Sequence, residues 1–174
     1  FFPGASRLEL MVELWLPEGS SFAATETQTK KMEAFIQKQA GVESVTSYVG
    51  TGSPRFYLPL DQIFPQTNVA QLVVLPKDIK IRTELRLKIE KILKEDFPEV
   101  RGRARFLPSG PPVPYPVQFR VTGSEVPKVR EIAERVKEVM RANPNAVGVN
   151  DNWNESVKVI RIDMDQDKLR ALGV

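Results

Sequence analysis

Cysteine and histidine are both missing from the 174 residues. Their absence excludes disulfide staples, thiolate nucleophiles, His-based triads, Cys/His zinc sites and the usual proton shuttle near neutral pH. Long apolar runs are missing too. Leu8–Leu16 and Val69–Leu75 are the most apolar stretches, and both fall far short of the ~20 residues a membrane-spanning helix needs. Charge of one sign is scarce, since 25 Lys+Arg against 22 Asp+Glu leave a formal charge of +3. With no His or Cys to buffer near neutrality, that small excess lifts the isoelectric point to about 9.2 without implying attraction to nucleic acid. What remains is ordinary globular composition, 41 % apolar and 27 % charged. A chain of this length can bury about 70 % of its unfolded surface, enough for one large core or two small ones.

The apolar pattern is that of alternating strands and helices. Leu8, Leu10, Val12, Leu14 and Leu16 alternate with residues that include Glu9 and Glu13, the mark of a half-buried strand. After Pro17-Glu18-Gly19, Ser20 or Ser21 caps a helix over 22–40 with a stripe of Phe22, Thr25, Thr29, Met32 and Ile36, stopped near Gly41. Strands are expected at Val42–Val49, Val69–Leu75 and Arg101–Leu107. Between the last two, Asp78 caps a helix whose buried stripe is Ile81, Leu85, Ile89 and Ile92, with Arg82 and Arg86 in water. This β-α-β-β-α-β order is the ferredoxin-like split βαβ arrangement. Residues 108–114 hold four prolines, and the pattern then restarts. A strand at 117–121, a helix lined by Val129, Ala133, Val136 and Met140, a short strand at 147–149, a strand at 157–164 and an Asp165-capped helix follow. The expectation is an α+β chain of two tandem ferredoxin-like units. The first spans residues 1–110, the linker 111–114, and the second, lacking its last strand, 115–174.

Few motifs carry chemistry. Arg101, Arg103 and Arg105 alternate on one strand face, but stacking aromatics that would make an RNA platform are absent nearby, so a solvated face or a protected sheet edge is the expectation. Asp163, Asp165 and Asp167 lack the glycine and closing glutamate of a calcium loop and read as a strand end plus a helix cap. Gly50-Thr51-Gly52 has no following Gly-Lys-Ser/Thr and reads as a flexible turn rather than a phosphate loop. Glu9 and Glu13 lie on the polar strand face. No catalytic constellation, metal site or cofactor site emerges, and the expectation is that the chain is not an enzyme. With no Met at its start and an end in mid-helix, the chain is expected to be cut from a longer protein.

Four stretches together resemble the second periplasmic loop of resistance-nodulation-division efflux transporters of the acriflavine-resistance type. They are Phe2-Pro3, Leu16-Pro17-Glu18-Gly19-Ser20-Ser21, Gly41-Val42-Glu43-Ser44-Val45, and the run from Ile162 to Val174, which is similar to that family's Asp-x-Asp-x-x-x-Ala-x-x-Leu-Gly type. The resemblance runs through essentially the whole chain. It implies one porter subdomain and most of its neighbour, in the periplasmic part of a bacterial inner-membrane pump driven by protons. The proton-relay residues of such pumps lie in membrane helices outside this chain. It further implies a homotrimer, a periplasmic adaptor, an outer-membrane channel and small-molecule cargo as partners, with no nucleic acid. A switch loop falls on Gly50, Thr51, Gly52, Ser53, Pro54, Arg55 and Phe56. Cleft positions fall on Glu13, Phe119, Asn150 and Asn152. Multidrug members carry several phenylalanines around this loop where the chain has Thr46, Thr51 and Ser53, with Tyr48, Phe56 and Tyr57 as the nearby aromatics. Trp15 and Trp153 can supply further aromatic area. The alternative is a free-standing tandem ferredoxin-like module that binds a small regulator or nucleic acid.

Overall fold

A computed structural model describes residues 6–111, 113 and 115–173. Phe2-Pro3 of the resemblance, Pro112 and Pro114 of the proline-rich linker, and Val174 lie outside the described residues. The chain is α+β, built on one four-stranded antiparallel sheet. Strand β1 (Leu10–Trp15) leads through Pro17-Glu18-Gly19 into helix α1 (Phe22–Gln37), whose first turn is capped by Ser21 Oγ accepting from the Ala24 N–H at 3.2 Å. Gly41, at φ +83°, turns the chain into strand β2 (Val42–Val49). Strand β3 (Val69–Pro76) follows a long loop, and Asp78 caps helix α2 (Ile79–Asp96) through the Ile81 N–H at 2.8 Å. Strand β4 (Arg101–Phe106) completes the sheet in the order β2-β3-β1-β4, which is the split βαβ order expected of residues 1–110.

Helices α1 and α2 cover the same sheet face. Leu10, Val12 and Leu14 of β1 meet Met32 and Ile36 of α1 and Leu85, Ile89 and Leu93 of α2. Each fully buried aliphatic side chain of this kind contributes about 1.5–3 kcal/mol. The stripe of α2 differs from the expected one. Leu93 replaces Ile92 as a core residue, and Arg82, expected in water, is only 6 % exposed. Its stem lies along the apolar face while the guanidinium stacks on the Phe106 ring at 4.1 Å and donates to the Arg7 carbonyl.

The second face of the sheet is covered as well. β1 was expected to be half-buried, with Glu13 on a polar face, yet its residues from Leu10 to Leu14 are all buried. Met11 packs with Leu60 and Leu107, flanked by Tyr57 and Val73, because the loop between β2 and β3 folds back over this face. A central strand between two neighbours has no edge, so covering the second face encloses it completely.

Beyond the linker no second sheet is present among the described residues. Helix α3 (Val126–Arg141) and the short α4 (Gln166–Ala171), capped by Asp165, are present. The stretches 117–121, 147–149 and 157–164 carry no strand pairing among the described residues. Alternation alone does not make a strand, because backbone N–H and C=O groups need a neighbouring strand to complete a ladder. Here none lies alongside, and Phe119 and Ile160 stay 67 % and 94 % exposed.

Gly102 shows how closely α2 packs on β4. A Cβ at this position would collide with both methyls of Leu93. Gly102→Val is therefore expected to lower stability by about 1–3 kcal/mol through overpacking. Urea unfolding followed by tryptophan fluorescence checks this, and an unchanged midpoint would refute it.

Candidate functional site

Strand register brings a buried polar cluster to the centre of the helix-free face. Glu13 lies opposite Gln71 of β3 and Arg103 of β4. Its side chain is 0 % exposed and accepts from Arg103 Nε at 2.6 Å and from Arg105 Nε at 2.7 Å. Gln71 Nε2 approaches the same carboxylate at 3.5 Å, and Gln71 Oε1 accepts from the Ser53 N–H at 2.8 Å. Desolvating a carboxylate is costly, and two guanidiniums on one acid offset that cost through charge-assisted hydrogen bonds. The cluster thus ties three strands to the loop that follows β2.

The loop from Gly50 to Phe56 divides into a fixed and a free part. Gly50, at φ +73°, donates to Val69 O at 2.8 Å and accepts from the Gln66 N–H at 3.0 Å. Thr51 is half-buried, and Gly52 donates to Ile63 O at 3.2 Å. Gly52 and Ser53 are buried. The first half of this loop is therefore held by backbone and side-chain hydrogen bonds. Pro54, Arg55 and Phe56 are exposed, and the Arg7 guanidinium lies 5.9 Å from the Phe56 ring.

Next to the cluster, a groove of about 390 Å³ runs between β4 and the residues beyond the linker. Trp15, Arg101, Arg103 and Arg105 form one wall, and Tyr115 and Asn150 belong to the other. Arg101 stacks on the Trp15 ring at 5.2 Å and Arg103 on the Tyr115 ring at 4.8 Å. A second, wider hollow of about 1470 Å³ lies under α3, where Val129, Ala133, Val136 and Met140 line its apolar side. Phe119, Asn150, Asn152 and Trp153 also border it.

The cleft candidates are thus only partly brought together. Asn150 borders both spaces, while Phe119 and Asn152 border only the wide hollow. Glu13 reaches neither and lies beneath the arginines as their counter-ion. The groove wall itself was not anticipated. The alternation Arg101, Arg103, Arg105 was visible, but only the pairing of β4 with β1 sets those side chains on the same face as Glu13 and Trp15.

The AcrB/AcrD/AcrF family profile matches residues 1–174, the full length of the chain. The chain belongs to this family. This is the family of resistance-nodulation-division efflux transporters that the sequence resembles. Among solved structures, a heavy-metal efflux pump aligns over 100 % of this chain at 16 % identity with a TM-score of 0.60. The chain spans 19 % of that pump's length, and at this identity the likeness is one of fold. SnoaB, a cofactor-independent oxygenase from Streptomyces nogalater, aligns over 64 % of this chain and 100 % of its own at 12 % identity, with a TM-score of 0.38. Among the described residues of this family member, no helix is long and apolar enough to cross a membrane.

One ion pair organises the turn that carries Asn150 and Asn152 in this family member. Lys137 Nζ of α3 meets Asp151 Oδ2 at 2.5 Å, and Asp151 Oδ1 accepts from the Trp153 and Asn154 N–H groups at 2.9 and 3.0 Å. Burial disfavours the Asp151 carboxylate, but the Lys137 and backbone donors outweigh it and hold the carboxyl below its ordinary value. A depressed acid stabilises the fold fully above its unfolded pKa and loses that contribution as pH falls through the folded one. The Trp153 amide resonance is expected to titrate with a midpoint below the ordinary aspartate range, and Lys137→Met should raise that midpoint. An NMR titration from acid to neutral pH measures it.

Removing the central acid tests the other cluster. Glu13→Ala leaves two guanidiniums facing each other without their shared acceptor, with an expected loss of about 3 kcal/mol, the low end for a broken buried pair since both arginines reach solvent. Denaturant unfolding reads this directly. A loss no larger than for an ordinary surface substitution would show the pair to be dispensable.

Proposed function

We propose that this chain is a porter segment of a proton-driven export pump in the bacterial inner membrane, exposed to the periplasm, and that it supplies part of the wall of the cleft that admits substrate. The observation that carries this reading is the groove between β4 and the residues beyond the linker, where Trp15, Arg101, Tyr115 and Asn150 converge. Aromatic surfaces with a few fixed polar groups are what small-molecule sites use to gain affinity and orientation. Residues 1–110 form one subdomain in this reading. Residues 115–174 form part of a neighbouring ferredoxin-like unit, whose uncovered α3 face is closed by other elements of the pump. The first subdomain's loop contributes through Arg55 and Phe56, with Gly50, Thr51, Gly52 and Ser53 as its anchored base. Phe119, Asn150 and Asn152 line the far side.

The segment carries out no chemistry and takes no cofactor. Its work is to shape a path and to present surfaces to two further copies of itself in a homotrimer, to a periplasmic adaptor and, through the assembly, to an outer-membrane channel. Family membership over the whole chain favours this reading over a free-standing regulatory or nucleic-acid-binding module.

The absence of cysteine from this stretch makes a direct test practical. In the full-length transporter, freed of cysteines elsewhere, Asn150→Cys is expected to react with a membrane-impermeant maleimide and to lose export on labelling. An exported compound should slow the labelling. Ala34→Cys, on the exposed side of α1, should label without loss of export. Full export after complete labelling at position 150 would remove the groove from the substrate path.

A further inference from the structure

The groove beside β4 has a chemical bias that its shape alone does not reveal. Its charged lining is entirely cationic, with Arg101, Arg103 and Arg105 on one wall and no acidic residue among the described lining residues. Glu13 beneath neutralises one of these three charges. Arg103 and Arg105 turn their Nε atoms inward to Glu13, which fixes both guanidinium planes at the groove wall. Arg101 differs from them. Among the described residues it makes no ion pair, and its guanidinium lies over the Trp15 ring.

An uncompensated cation in a partly enclosed space favours a ligand that brings negative charge and acceptor atoms. The flat faces of Trp15 and Tyr115 favour one that also brings an aromatic ring. Resting on the cleft reading above, we infer that this groove selects aromatic organic anions, carboxylates or sulfonates, with Arg101 as the principal charge contact and Trp15 and Tyr115 as the stacking surfaces. The anionic head meets Arg101, and the ring lies against Trp15 and Tyr115. A lipophilic cation of the same shape meets the net positive wall and is disfavoured.

Fluorescein and rhodamine 6G share a xanthene frame and carry opposite charge, so they separate charge from shape. Fluorescence polarisation with the purified full-length transporter is expected to give at least tenfold tighter binding of fluorescein. Arg101→Gln should weaken fluorescein binding about tenfold while leaving rhodamine 6G unchanged or tighter, and Arg101→Lys, which keeps the charge but loses the planar stack, should fall between Arg101→Gln and the unaltered protein. Raising the salt concentration should weaken fluorescein alone. Fluorescein, more than rhodamine 6G, should protect Asn150→Cys from the maleimide. Equal affinity for the two dyes, or an equal effect of Arg101→Gln on both, would overturn the inference. Protection by rhodamine 6G alone would overturn anion selection and leave the cleft reading standing. If neither dye protects and export survives labelling, both fall.

Discussion

A single carboxylate buried in the middle of a sheet sets much of what this chain can do. Glu13 occupies the central strand on the face that the helices leave open, and it is fully enclosed. An ionised acid in that position requires donors, and the two arginines one strand away supply them. Their long side chains then lie against the sheet instead of extending into water. That arrangement converts an edge strand with three basic residues into the ordered wall of a groove. Gln71 extends the same network to Ser53, so the base of the loop after β2 is held by the same cluster.

The two faces of the sheet divide the labour. The helix face is a continuous apolar core from Leu10 to Ala104 and supplies stability. The other face is mixed. Met11, Leu60 and Leu107 make a small apolar cluster under the loop, while Glu13, Gln71 and the arginines make a polar one beside it. Buried polar groups fix geometry more strictly than apolar ones, because each donor must meet its acceptor at a defined distance. A wall held in this way keeps Arg103 and Arg105 in one orientation without further support from a ligand.

The part beyond the linker follows a different logic. Helix α3 forms with its apolar stripe intact, yet that stripe faces a wide hollow and the flanking apolar stretches remain unpaired. Local order survives there through short-range contacts, such as the Lys137–Asp151 pair and the Asp151 turn that positions Asn152. A helix satisfies its own backbone, whereas a strand depends on a neighbour. That difference explains why α3 is present where the strands expected around it are not.

The sequence by itself determined the elements of residues 1–110, their order and the helix caps at Ser21 and Asp78. Those features depend on local spacing and on side chains that bond within a few residues. It also carried family membership, through the run from Ile162 to Val174 and the shorter stretches before it. Tertiary structure alone decided that Glu13 is enclosed, that Arg82 lies in the α2 interface, and that Arg101 stands beside Trp15. Each of these depends on which strands are neighbours and on a loop returning from more than 40 residues away to cover a face that alternation marks as polar. The stretches expected as strands beyond the linker are unpaired among the described residues for the same reason. Periodicity reports which side of a residue is apolar, and only the presence of a partner strand decides whether that side is buried.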